Sequence, residues 1–396
     1  MTSPQVFETP PPWFGARMAL GFCANFIFVG LYLPYFPVWL KAQSLSPVEI
    51  SAVLSMSLVI RVLASGQVMA YADRFRDRSV LLSRLYVASA LSVLLYLVTG
   101  SFWPILLVTL LYNFFFNPVL PLLDAITLAG VRRFDADYGR IRIWGSLIFV
   151  LANLGGGWLL ASGEPQFLLY ALISAMVLGA AVSFVIPRIG RRQSASSDAS
   201  DPATRRKLLA NRQFLLVLAA TGLGQASHSF LYGFGSIHWQ TLGFSGGLIG
   251  LLWAIGVFAE IVLFQYSKAV FRRVSPVAVI AIGCIGGAVR WALFPYIGIE
   301  SAFLLLQILH GLSFGAVHIG LMHYIMEAVP EENLGAAQGV GFVLGGVAMG
   351  IGVFFSGPLY AAAGAEGFLV MAVVCIAALA LLALARLSPK APAAAA

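Results

Sequence analysis

The chain has 396 residues, 60% of them hydrophobic and only 10% charged, with 24 Lys and Arg against 16 Asp and Glu for a formal net charge of +8. A mean hydropathy of +0.90 excludes an ordinary water-soluble domain, which needs far more polar surface than this. The basic excess does not point to nucleic acid, because it gathers in the loops on one side of a series of apolar runs.

Runs of the length that crosses a hydrocarbon core of about 30 Å recur along the whole chain. Twelve are predicted: 18–40, 50–72, 79–99, 104–130, 141–161, 166–187, 214–237, 246–267, 276–297, 301–325, 334–358 and 366–386. The start, "MTSPQVFETPPPWFGAR", is polar and proline-rich, unlike a cleaved signal peptide, so the first helix is expected to be retained. With the N-terminus inside, the cytoplasmic loops collect Arg17, Arg74, Arg76, Arg78, Arg132, Arg133, a cluster over 188–212, Lys268, Arg272, Arg273, Arg386 and Lys390. The other side keeps Lys41, and this bias predicts that both termini are cytoplasmic. Cys23, Cys284 and Cys375 fall inside the runs, far apart, and read as small core residues.

Ionisable groups inside the runs carry the functional signal, since each costs at least about 2.5–3.5 kcal/mol at a bilayer centre unless paired or wetted. The second run holds Arg61 near its middle, which must meet an anion or water because it keeps its proton. Substrate binding and a structural ion pair both satisfy that need. In the fourth run, "YNFFFNPVLPLLDA" sets Asn113, Asn117 and Asp124 at spacings of four and seven, on one helical face. Pro118 and Pro121 loosen the helix there. The fifth run opens on "YGRIRIWGS", where Arg140 and Arg142, two residues apart, lie on different faces: one can hold the surface while Arg142, the deeper, points inward, or both can be positive-inside anchors.

The basic, Ser/Asp/Ala-rich segment 188–213 reads as a cytoplasmic linker between two six-helix halves, 1–187 and 214–396. An internal echo supports the division: "WLKAQSLSPVEISAVLSMSLVIR" matches "WQTLGFSGGLIGLLWAIGVFAE", pairing Arg61 with Glu260. In the second half, Gln225, His228 and Tyr232 share one face of the seventh run, and the eighth and ninth carry Trp253, Glu260 and Arg290. The tenth bears Gln307, His310, His318 and His323. Gln307 and His318 are expected on one side, with His310 displaced beside them. No spacing among these histidines makes a metal site, and there is no GxSxG, HExxH or P-loop, so an enzyme is not expected.

The loop "YADRFRDR" resembles the loop signature of the major facilitator superfamily through Asp73 and Arg74, although Met69 and Arg76 stand where that pattern has glycines. More specifically, "FFFNPVLPLLDA", "YGRIRIWGS", "LWAIGVFAEIVLF", "GGAVRW" and "QILHGLSFGAVH" resemble the 3-phenylpropionate permease family, related to the lactose permease branch. The resemblance implies an all-α membrane protein of twelve helices in two pseudo-symmetric bundles, a monomeric proton symporter of the bacterial inner membrane. It would need no cofactor beyond the proton gradient, and its partners would be a small solute, protons and lipid. By the same resemblance Asp124 and Arg142 hold the substrate, and Glu260, Arg290 and His318 couple it to protons. The further glutamate of lactose permease on the tenth helix is missing, so Glu260 or a histidine is left to carry the proton.

Together these readings predict proton-coupled uptake of a small organic anion, an aromatic carboxylate such as phenylpropionate. Arg61, Asn113, Asn117, Asp124, Arg142, His228, Tyr232 and Trp253 are the candidate substrate contacts. Glu260, Arg290, His310 and His318 are the candidates for proton coupling, and Asp73 and Arg74 for the conformational loop. A neutral sugar or nucleoside is the alternative cargo, with export of amphipathic compounds or sensing without transport behind it.

Overall fold

The computed structural model describes residues 9–72, 75, 77–190, 210–329 and 333–387, and among these every regular element is helical. Asp73, Arg74 and most of the linker, 191–209, lie outside the described residues. Eleven helical segments are long and apolar enough to cross a membrane, and the last, Leu334–Leu387, runs for 54 residues. That segment holds two helices separated at Gly364, whose φ of 53° lies in the left-handed region that glycine tolerates.

The chain divides into two compact units, Met1–Ala195 with Ser245–Leu251 and Ser196–Phe244 with Leu252–Ala396. The first contains α1 (Phe14–Ala42), α2 (Pro47–Ala72), α3 (Arg78–Leu94), α4 (Phe102–Phe116), α5 (Val119–Phe134), α6 (Tyr138–Ala161) and α7 (Gln166–Ser183). Here α1 packs along α6 and α7, α3 along α4 and α7, and α2 along α4. Gly30 lets α1 and α6 approach closely: a Cβ there would stand 2.8 Å from Cβ of Ala152 and 2.9 Å from the Phe149 carbonyl oxygen. Side-chain caps fix where helices begin, Asp77 accepting from the Ser79 N–H ahead of α3 and Asp137 from the Arg140 N–H ahead of α6.

The remaining helices are α8 (Arg212–Ala226), α9 (Ser229–Thr241), α10 (Gly246–Gln265, whose start through Leu251 belongs to the first unit), α11 (Ser267–Phe271), α12 (Pro276–Leu293), α13 (Glu300–Ile308), α14 (Val317–Ala328), α15 (Leu334–Ala363) and α16 (Gly367–Leu387). In the second unit α12 packs on α14 and α16, and α8 on α15 and α16. Val217, Ile280, Cys284, Val317, Ala378 and Leu382 fill the core between them. The internal echo has a structural counterpart. The Leu45 N–H reaches the Leu40 carbonyl at 3.3 Å as the Phe244 N–H reaches that of Trp239 at 3.1 Å, and Ser46 and Ser245 each accept from the N–H three residues on.

Three of the predicted runs are interrupted. The fourth divides into α4 and α5 at Asn117–Pro118, where proline supplies no N–H and its ring crowds the preceding turn. The seventh divides into α8 and α9 at Ser227–His228. There Ser227 Oγ donates to the Gly224 carbonyl at 2.7 Å and His228 Nδ1 lies 3.2 Å from that of Gln225, so side chains take carbonyls that the helix would otherwise use. The tenth contains a π-helical turn, Gly311–Ala316, between α13 and α14.

Candidate functional site

In the first unit Asp124 stands on α5, and Arg142 lies in the first turns of α6. Between them is Tyr138, one turn before Arg142, whose hydroxyl donates to Asp124 Oδ1 at 2.9 Å. The Arg142 guanidinium spreads over the rings of Phe26, at 4.3 Å, and Phe22, at 5.2 Å, contacts of the kind that contribute about 0.5–2 kcal/mol depending on how dry they are. Asp124 and Tyr138 lie within electrostatic reach of Arg142. No carboxylate among the described residues comes within ion-pair distance of it. Tyr138 thus stands between Asp124 and Arg142. Arg140, by contrast, is 90% exposed and pairs with Asp137 at 3.7 Å.

Elsewhere in the first unit, on α4 and at its end, the asparagines form a ladder. Asn113 Nδ2 donates to Ser57 Oγ at 3.2 Å and to the Thr109 carbonyl at 2.8 Å, and Asn117 Nδ2 donates to Asn113 Oδ1 at 3.2 Å. Tyr32, stacked between Phe28 and Phe36, approaches the same Ser57 at 3.5 Å. Asn113 is buried and committed to its neighbours, whereas Asn117 is half-buried. Arg61 lies on α2 with an exposed side chain.

The second unit concentrates its polar groups around Arg290, which is fully buried. Its NH1 nitrogen donates to His310 Nδ1 at 2.9 Å and to Ser313 Oγ at 3.2 Å, and NH2 donates to Gln307 Oε1. The guanidinium also sits 4.4 Å from the Trp291 ring. Because a guanidinium has only donors, His310 Nδ1 must accept. Its proton is then on Nε2, which donates to Glu260 Oε1 at 2.8 Å. Beyond Ser313 the chain continues to His228, whose Nε2 lies 3.1 Å from the serine oxygen.

Glu260, Arg290 and His310 are therefore brought together, while His318 is exposed, beside the Phe264 ring at 6.2 Å and within electrostatic reach of Glu260. The π turn explains why His310 and not His318 joins the bonded group. It inserts an extra residue, about 100° of helical phase, between the two histidines, so a 3.6-residue count carried across it fails. His228 and Trp253, read from the sequence as solute contacts, are both buried. His228 is fully buried with both ring nitrogens engaged, and Trp253 is 5% exposed with Nε1 donating to Ser236 at 2.9 Å. Tyr232 remains partly accessible and stacks on Trp253 at 6.2 Å. Sequence reasoning missed Tyr138, Phe26 and Ser313. The first was legible, since Tyr138 stands four residues before Arg142 in "YGRIR" and so on its face.

The sequence pattern of the MFS_1 like family matches residues 17–371. The chain belongs to that family. It is a transporter of the major facilitator superfamily and an integral membrane protein. It is 34% identical over 365 residues to the "Probable 3-phenylpropionic acid transporter" of Escherichia coli (strain K12), covering 91% of this chain and 94% of that protein. The maltose permease of Geobacillus stearothermophilus is 26% identical over 83% of this chain and 82% of its own length. Among solved structures, that of the nucleoside transporter NupG superposes with a TM-score of 0.84 at 17% identity, covering 95% of this chain and all of that one. A bacterial homolog of the human lysosomal transporter Spinster, inward-facing and unoccupied, gives 0.74 at 14% identity over 94% of this chain and 96% of its own. These likenesses show the fold of a secondary transporter.

Proposed function

We propose that this protein is a proton-coupled symporter that takes up a small organic anion, an aromatic carboxylate, across a bacterial inner membrane as a monomer. The observation that carries the reading is Arg142: a half-buried cation faced by two aromatic rings, with no carboxylate among the described residues at ion-pair distance and with the nearby Asp124 already engaged by Tyr138. An arriving carboxylate can accept from such a guanidinium in a bidentate manner while its ring packs on Phe26 and Phe22. The relative whose name specifies 3-phenylpropionic acid, at 34% identity, supports the same cargo. In this reading Leu334–Leu387 crosses twice, giving twelve spans with both termini cytoplasmic, and residues 188–213 link halves 1–187 and 214–396.

Arg290 is not the first contact for the solute, because it is fully buried and its NH1 and NH2 nitrogens already donate to His310, Ser313 and Gln307. With Glu260 and His310 it serves proton coupling, and the proton gradient replaces any cofactor. Asp73 and Arg74 retain their expected part in the conformational loop. The decisive measurement is calorimetry on purified protein with phenylpropionate, a disaccharide and a nucleoside, each repeated with Arg142→Ala. Binding of the carboxylate alone, lost in the variant, is the expected result. Binding of a neutral solute instead would favour the second reading, sugar or nucleoside transport. That alternative draws on the maltose permease relative and on an Asp124–Tyr138 pair able to bond hydroxyls.

A further inference from the structure

The bonds around Arg290 have directions that chemistry dictates, and they extend further than proton coupling by Glu260, Arg290 and His310 requires. A carbonyl oxygen only accepts, so the contact from His228 Nδ1 to the Gln225 carbonyl at 3.2 Å puts the His228 proton on Nδ1. Neutral His228 then has a bare Nε2, 3.1 Å from Ser313 Oγ, and the serine hydroxyl donates to it. Ser313 Oγ in turn accepts from Arg290 at 3.2 Å. On the other arm Arg290 donates to His310 Nδ1 at 2.9 Å, and His310 Nε2–H donates to Glu260 at 2.8 Å. Each bond in this chain has a definite donor and acceptor, and Arg290 is the source from which both arms run.

We infer that His228 is a positioning residue for proton coupling, acting through Ser313 on Arg290. We also infer that the two histidines are held as opposite neutral tautomers, so that an added proton resides on Glu260. This rests on the proton-coupled reading above. A proton arriving at either histidine must break a bond of the chain: on His310 Nδ1 it would point at the Arg290 guanidinium, and on His228 Nε2 it would meet the hydrogen of Ser313. A proton arriving at the Glu260 carboxylate breaks nothing, since a protonated carboxyl retains an oxygen able to accept from His310 Nε2–H. His228 faces Arg290, His310 at a ring separation of 5.2 Å, and the Tyr232 ring; Glu260 faces His310, His318 and Arg290; and Cys375 of α16 lies near Arg290.

The chain also gives Ser313 a reason to lie in the π turn. Gly256 of α10 leaves room for the His310 ring, whose nearest atom would be 3.2 Å from a Cβ there, and Gly286 of α12 lies against Leu312. The widened turn lets His310 and Ser313, three residues apart, both reach one NH1 nitrogen.

The test is ¹⁵N NMR of the imidazoles in the full-length protein, labelled at histidine and assigned by single substitutions, from about pH 5 to 8 where an ordinary histidine titrates. The expected spectra show His228 protonated on Nδ1 alone and His310 on Nε2 alone across that range. A doubly protonated ring at either position, or the same tautomer at both, overturns the inference. Proton-driven uptake in proteoliposomes gives the second readout, with thermal unfolding run on each variant. Ser313→Ala is expected to lower the uptake rate roughly tenfold or more, the cost of one charge-assisted hydrogen bond, with solute KM unchanged. His228→Gln, whose amide can accept from Ser313, is expected to restore coupling relative to His228→Leu. Equal loss in the Gln and Leu variants, with both folded, would overturn the positioning role. Uptake indifferent to the proton gradient, with the tautomers as described, would instead defeat the proton-coupled reading and leave the hydrogen-bond chain standing.

Discussion

A methyl group added at Gly311 tests how tightly the π turn and α10 hold the Glu260–His310 contact. A Cβ at Gly311 would stand 2.9 Å from the carbonyl oxygen of Ala259, 3.0 Å from its carbonyl carbon and 3.1 Å from its Cβ. The first two of these atoms are backbone, so no rotamer change relieves the clash. Ordinary contact begins near 3.4 Å, so α10 must retreat by about half an ångström. Ala259 precedes Glu260 and Gly311 follows His310, so the same retreat stretches the 2.8 Å hydrogen bond to about 3.3 Å, past the normal range. Overpacking of this sort costs about 1–3 kcal/mol, partly offset by the roughly 1 kcal/mol that alanine gains over glycine in a helix. Gly311→Ala should therefore unfold a few degrees below the wild type in detergent and lose much of its proton-driven uptake. Gly339→Ala on α15, where a Cβ meets nothing within 4 Å, is the control and should be neutral or slightly stabilising. If Gly311→Ala matched that control in both stability and uptake, the close packing of α10 on the π turn would be wrong.

Tyr138→Phe frees Asp124 to pair with Arg142, so calorimetry should record anion affinity falling about tenfold, with recovery in the double variant carrying Asp124→Asn. Asn113→Ala should lower the unfolding temperature more than Asn117→Ala. It strips about 1–3 kcal/mol of hydrogen bonding from a side chain only 5% exposed, whereas Asn117 makes one bond from a half-buried position. His318→Gln should retain proton-driven uptake in proteoliposomes where Glu260→Gln loses it, because His318 stands outside the bonded chain.

How far the molecule could be read from its residues depended on whether the signal was periodic. Apolar runs and an internal echo are one-dimensional, and the spans and the paired turns at Trp39–Ile50 and Trp239–Ile249 follow from them. Buried charge is equally visible, which is why Glu260 and Arg290 stood out. What escaped was phase. The π turn after His310 shifts every later residue of that run, so the histidine that lattice counting favoured, His318, ends outside the bonded group. Side chains that act by bridging also left little trace. Ser313 is one small hydroxyl in an apolar run, and Phe26 is one aromatic among the 29 phenylalanines of the chain. Tyr138 is the exception, because its four-residue lead on Arg142 is a helical relation.

The partners that Arg290 uses, Gln307, His310 and Ser313, all follow it in the chain, across one short turn. During synthesis the helix bearing Arg290 therefore emerges with a bare cation and no acceptor of its own, a burden of about 2.5–3.5 kcal/mol for a lone segment entering lipid. The helix after it supplies the missing acceptors, so the two are best inserted as a hairpin, and a chain halted between them would leave its ninth span poorly anchored.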